Sequence, residues 1–125
     1  MKWYSGSVLR GKQDGRTIGF PTVNLDPSIL NEDISEIQPG IYASQVRVHD
    51  EVCLGALYIG PRLVKNETHT VLEIFILDFD QEIYDESIEF TVEKFIRGVE
   101  NFTSMDEMMI RIKQDVKEVR EFFKA

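Results

Sequence analysis

Apolar positions along this chain change period once. From Trp3 to Ile96 they alternate or run in short blocks, and from Met105 onward they recur at three and four. Trp3 to Leu9 predicts a short strand that leads into a glycine-bearing loop. Pro27 to Pro39 is polar and turn-rich, with Ile29, Leu30, Ile34 and Ile37 as anchors. Ile41 to Val48 and Val52 to Ile59 are β-branched and aromatic, and His49-Asp50-Glu51 between them predicts a hairpin. Pro61 to His69 predicts a second loop, and Thr70 to Phe79 a long strand. Glu82 to Ile96 alternates in its middle, with Ile88, Phe90 and Val92 on one side and Ser87, Glu89 and Thr91 on the other.

Met105, Met108, Met109, Ile112, Val116, Val119 and Phe123 form the stripe of an amphipathic helix. Ser104-Met105-Asp106-Glu107 reads as a capping box, with Ser104 at the N-cap and Glu107 returning to the N-cap amide. Such a stripe is the core face of a helix laid on a sheet. Many short antiparallel strands with one terminal helix predict a mostly β fold, a small closed barrel with the helix packed on it.

The 125 residues fit one domain, 1–125, large enough to bury a core without staples. The single Cys53 cannot form an internal disulfide, and no stretch resembles a membrane span or a signal peptide. A soluble cytoplasmic protein, and a monomer, is the expectation. The net charge of -8 argues against a nucleic-acid partner, which would need a basic patch over the phosphates. Arg10, Lys12 and Arg16 nonetheless collect in the first loop against Asp14 alone. Local cations in an acidic chain suit a small anionic ligand better than a polymer.

That loop carries the most informative residues, Gly15-Arg16-Thr17-Ile18-Gly19-Phe20-Pro21-Thr22-Val23-Asn24-Leu25. Glycines let a backbone approach a ligand closely. Thr22 and Asn24 sit two apart, so in an extended segment they point to the same side. Backbone donors, positive charge and two neutral oxygen ligands suit a nucleotide with its Mg²⁺. Neither the Walker A pattern nor the dinucleotide GxGxxG is present.

On the strand Thr70 to Phe79, Val71, Glu73, Phe75, Leu77 and Phe79 share one face, so Glu73 breaks an apolar row. A carboxylate there is paired, solvated in a cleft, or shifted by desolvation. It is either a candidate general base or a Glu at a barrel mouth paired with an Arg or Lys. His49 and His69 stand in no ligand-spaced cluster, and Cys53 reads as core.

The glycine loop with its Pro-Thr-Val-Asn resembles the signature loop of riboflavin kinases (flavokinases). Gly40-Ile41-Tyr42-Ala43, Leu72-Glu73, Leu77-Asp78-Phe79, Ile83-Tyr84, Phe95-Ile96-Arg97, Asn101-Phe102-Thr103-Ser104 and Asp115 follow in the family's order, over essentially the whole chain. The resemblance implies a six-stranded Greek-key antiparallel barrel with a C-terminal α-helix. It implies transfer of phosphate from ATP to the ribityl 5'-hydroxyl of riboflavin, giving FMN and ADP with Mg²⁺. By position it implies that Gly11 and Arg16 line the ATP phosphates, that Thr22 and Asn24 hold nucleotide and metal, and that Glu73 is the base. It places Ile76, Asp78, Arg97, Glu100 and Phe102 around the flavin. Tyr58-Ile59-Gly60-Pro61 stands where bacterial members usually carry an Asn before the glycine and a Pro-Thr-Phe element after it. Bacterial relatives usually carry an N-terminal FMN adenylyltransferase domain as well, so this sequence reads as a stand-alone kinase or an excised domain. A non-catalytic flavin- or nucleotide-binding module is the alternative reading, and a plain β-barrel interaction protein a third.

Overall fold

His49 and Asp50 make the tightest turn of the sheet, both with positive φ (49° and 66°), joining Val48 directly to its partner Glu51. That left-handed pair matches the right-handed twist of the strands it joins. A computed structural model describes residues 1–10, 22–61 and 69–124. Within these, the strands are β1 (Tyr4–Ser7), β2 (Thr22–Leu25), β3 (Gly40–Val48), β4 (Glu51–Pro61), β5 (Thr70–Ile76), β6 (Ser87–Phe90) and β7 (Lys94–Arg97), and α1 spans Met105–Phe123.

All pairings are antiparallel, in the order β1-β6-β3-β4-β5-β2, with β7 added on β3. β3, β4 and β5 follow one another, and β6 returns to lie beside β3, which is the Greek-key order. The two ends of the six-strand path meet at one bridge: Leu9 donates its amide to the Asn24 carbonyl at 2.8 Å. The result is a curled antiparallel half-barrel of six strands with a C-terminal helix, the mostly β Greek-key architecture that the resemblance implies.

Alternation explains why β5 is apolar on both sides. Leu72, Ile74 and Ile76 point into the barrel with Val23, Leu57, Ile59, Ile88 and Phe90, all buried. Phe75 and Leu77 point outward, where α1 covers them together with Ile41, Ala43 and Ala56. Ala43 and Ala56 are direct cross-strand partners and fully buried; small residues let Ile112, Val116 and Val119 of α1 come down onto the sheet. Each fully buried Ile, Leu or Val side chain contributes roughly 1.5–3 kcal/mol relative to exposure.

Several local expectations are corrected. The strand expected over Thr70 to Phe79 stops at Ile76, because Asp78 takes a left-handed φ of 57° and turns the chain. The segment Glu82 to Ile96 holds two strands, β6 and β7. Between them Thr91 is buried: its hydroxyl accepts the Gln45 amide at 2.9 Å and donates to Glu93 at 2.5 Å. Pro27–Glu36 is a kinked 3-10 segment, entered at Asp26, whose side chain accepts the Ser28 amide, and anchored by buried Leu30. In α1 the Ser104 hydroxyl does accept the Glu107 amide at 3.1 Å, but Glu107 returns to Thr103 rather than to the N-cap amide. Met105 is half exposed, so the covering stripe starts at Met108, and Asp115 belongs to it.

Candidate active site

Cross-strand partners in a ladder share a face. Asn24 on β2 is the direct partner of Glu73 on β5, Glu73 of Tyr58 on β4, Tyr58 of Ile41 on β3, and Ile41 of Arg97 on β7. One row therefore runs across the outer face of the barrel, from Asn24 through Glu73 and Tyr58 to Arg97. Thr22 lies on the same face as Asn24, opposite Phe75. At one end of the row are two neutral side chains that carry oxygen, Thr22 and Asn24, and a carboxylate, all half-buried. At the other end is a guanidinium. With about 4.8 Å between strands, the ends of the Glu73–Arg97 stretch lie roughly 14 Å apart.

Glu73 owes its place to the pleat. It alternates with the barrel-facing Leu72 and Ile74, so it points outward into the row and not into the barrel. Its neighbour Tyr58 is half-buried, and burial pushes the phenol up from its ordinary range. The Arg97 charge pulls it down and the Glu73 charge raises it further, so the ring lies within electrostatic reach of both. The Tyr58 hydroxyl donates to the Pro61 carbonyl at 2.5 Å. Gly60 makes room for that ring: a Cβ there would stand 3.0 Å from the Tyr58 hydroxyl.

At the far end, Arg97 is nearly buried and Asp115 of α1 is 1% exposed. Arg97 Nε donates to Asp115 Oδ1 at 2.9 Å, and Nη2 donates to Oδ2 at 2.9 Å. Burial nonetheless pushes the Asp115 carboxyl up, with Arg97 pulling the other way. Glu100 accepts from Arg111 at 2.9 Å and lies 3.3 Å from Arg97. The Phe102 ring centroid lies 5.8 Å from the Arg97 guanidinium carbon.

The structure thus collects Thr22, Asn24 and Glu73 into one group, and Arg97, Glu100 and Phe102 into a second on the same side of the sheet. Ile76 joins neither: it is fully buried inside the barrel, leaving only its backbone for a ligand. Asp78 stands in the turn after β5, held below the usual carboxylate range by Arg120 of α1, which donates to both its oxygens at 3.1 Å. Gly11 and Arg16 lie outside the described residues. Sequence reasoning on the residues alone did not single out Tyr58 or Asp115. The signal for Asp115 was legible, as a charge set three after Ile112 and one before Val116 in the apolar stripe. For Tyr58 nothing marked the partner of Glu73, because register is not written in either strand alone.

Among the described residues no three His, Cys, Asp or Glu side chains gather as a cation site. A divalent ion at this face would rest on Thr22, Asn24 and ligand phosphates, an oxygen set that suits Mg²⁺. No helix among the described residues is long and apolar enough to cross a membrane.

The family model described as Flavokinase, riboflavin kinase, matches residues 3–123. The chain is 36% identical over 119 residues to a bifunctional riboflavin kinase/FMN adenylyltransferase of Listeria monocytogenes, covering 94% of this chain and 37% of that protein. It is 35% identical over 120 residues to an RNA-binding riboflavin kinase of Bacillus subtilis, covering 95% of this chain and 50% of that protein. The chain thus spans half or less of these relatives' lengths. Among solved structures, a macrolide-efflux protein of Streptococcus pneumoniae aligns with TM-score 0.75 and 25% identity over 94% of this chain and 38% of that one. A riboflavin kinase of Trypanosoma brucei aligns with TM-score 0.66 and 23% identity over 98% of this chain and 80% of that one.

Proposed function

This chain belongs to the riboflavin kinase family, and we propose that it transfers the γ-phosphoryl group of ATP to the ribityl 5'-hydroxyl of riboflavin, releasing FMN and ADP. The observation that carries the reading is the direct opposition of Asn24 and Glu73 across β2 and β5. It supports the reading because an amide oxygen and a carboxylate side by side suit an acceptor hydroxyl and a phosphate brought together.

Phosphoryl transfer asks a protein mainly to position its reactants and to neutralise charge. In this reading Thr22 and Asn24 hold the nucleotide end and the ion that accompanies it. Mg²⁺ in such a site offsets the phosphate charge. Glu73 accepts the proton of the 5'-hydroxyl as the new O–P bond forms and the bond to ADP breaks, a role typically worth 10²–10⁴-fold. The resemblance assigns Gly11 and Arg16 to the phosphates. Arg97, Glu100 and Phe102 surround the isoalloxazine end, with Ile76 and Asp78 contributing backbone or a boundary. The net charge of -8 supports small-molecule substrates over nucleic acid for this chain, and the single Cys53 suits the reducing cytoplasm.

The test is to incubate the protein with riboflavin, ATP and MgCl₂ and to separate the products by chromatography. FMN formed in step with ADP is the expected result. Riboflavin binding without turnover would favour a flavin-binding module instead.

A further inference from the structure

We propose that Asp115 is a positioning residue for the flavin end of the site: it locks the Arg97 guanidinium so that Arg97 backs the ring of Phe102 instead of reaching for a ligand itself. The inference rests on the riboflavin reading above.

Arg97 commits each of its three nitrogens to an acceptor within the protein. Nε and Nη2 go to the two Asp115 oxygens at 2.9 Å each, and Nη1 goes to the Gly98 carbonyl at 3.1 Å. The fork-to-fork geometry fixes the guanidinium plane as well as its place, which a single hydrogen bond would not do. Glu100 at 3.3 Å adds a second carboxylate, and Arg111 balances it, lying 2.9 Å from Glu100 and 3.8 Å from Asp115. The charges close on themselves. An arginine so held is a poor anchor for a free anion and a good rigid surface.

That surface lies against Phe102, 5.8 Å from guanidinium carbon to ring centroid. Phe102 is half-buried, on the segment between β7 and α1. Asp115 and Arg111 belong to α1, Arg97 to β7, and Gly98, Glu100 and Phe102 to the connection between them. The bidentate pair therefore fixes three pieces of chain at once, across from Glu73 on the same side of the sheet. A planar, electron-poor ring system has an aromatic face to lie on there, and the orientation of that face is set by Asp115 through Arg97. A buried pair of this kind adds little net stability compared with an apolar replacement, so its worth lies in geometry.

The test is a riboflavin titration followed by quenching of flavin fluorescence. Arg97→Lys keeps the charge but loses the fork, and should weaken riboflavin binding at least tenfold while the KM for MgATP stays within twofold. Asp115→Asn leaves a buried guanidinium without its counter-charge and is liable to unfold. The paired change Arg97→Met with Asp115→Leu removes both charges, should keep the thermal midpoint near wild type, and should lose the same affinity. In a Phe102→Ala background, Arg97→Lys should add less than twofold, because its effect passes through that ring. Wild-type affinity in Arg97→Lys or in the paired variant, or full additivity with Phe102→Ala, would overturn the proposal. A wild-type protein that binds riboflavin but forms no FMN would defeat the kinase reading and leave this one standing. One that binds no riboflavin would defeat both.

Discussion

Asn24 and Glu73 are direct partners across the β2–β5 ladder. Directly opposed residues carry their Cβ atoms about 5 Å apart on the same face. An amide oxygen and a carboxylate are therefore held at a separation that a hydroxyl and a phosphate can bridge, by backbone pairing and not by long side chains reaching across a cleft.

Replacing Glu73 by Gln keeps the shape but removes the carboxylate that we propose as the base. Turnover should fall about 10²-fold or more, with the melting temperature and riboflavin affinity close to wild type. Steady-state FMN formation and a thermal melt measure both. A well-folded variant with near-normal turnover would exclude the base role.

Asn24→Ala tests the other half of the pair. The KM for MgATP should rise far more than riboflavin affinity falls, since Asn24 is expected to face the nucleotide. Equal losses for both ligands, or loss for flavin alone, would contradict a metal–phosphate role at β2.

How much of this was legible in the sequence depends on what each residue's neighbours are. The Thr22–Asn24 pair and the outlier Glu73 could be read from alternation, because both are properties of one strand. Their opposition could not, since it needs the register between β2 and β5. The hairpin at His49-Asp50 and the stripe of α1 were readable for the same local reason. Asp78 ended β5 early through a left-handed turn that an apolar run from Leu72 to Phe79 gave no hint of. Ile76 looked like a site residue by position along the chain, yet the pleat sends it into the barrel. Asp115 stood out as a charge inside its stripe, but its role did not. A charge at a covering position of a helix has meaning only once Arg97 is known to lie beneath it.

Tyr58 and Gly60 form a small lock beside Glu73. Tyr58→Phe removes the hydrogen bond to the Pro61 carbonyl and should cost about 1 kcal/mol of stability. Gly60→Ala should cost more in the wild-type background than in Tyr58→Phe, because the added Cβ would meet the Tyr58 hydroxyl at 3.0 Å. Urea denaturation of the four proteins in this cycle measures the coupling. Strict additivity would mean the ring yields freely and the lock does not exist.

His49 reports on the hairpin. Its ring bonds the Glu86 carboxylate, which raises the imidazole pKa above its ordinary value, with Glu51 and Asp50 adding to the effect. A raised pKa means the charged form is favoured in the fold. The stabilisation is therefore fully present below the ordinary histidine range and is lost as pH rises through the folded value. NMR titration should place His49 above a free histidine, and Glu86→Gln should bring it back down. An unchanged titration in Glu86→Gln would show that the pair does not persist in solution.

Gly40 ties the sheet to Arg97, at the proposed flavin end of the site. Its φ is +152°, and a Cβ there would stand 2.2 Å from the Arg97 carbonyl oxygen. Backbone cannot step aside as a side chain can, so Gly40→Ala must push β7 away from β3 or twist the start of β3. Either movement shifts Arg97 relative to Asp115, whose bidentate geometry tolerates little displacement. The expected cost is on the order of 1–3 kcal/mol for the forced backbone. Riboflavin affinity should fall with it, while the KM for MgATP, which we assign to β2 at the other end of the row, should hold. Urea denaturation and the two ligand titrations separate these effects. An alanine variant with wild-type stability and wild-type riboflavin affinity would mean that the close contact between β3 and β7 does not govern the flavin end.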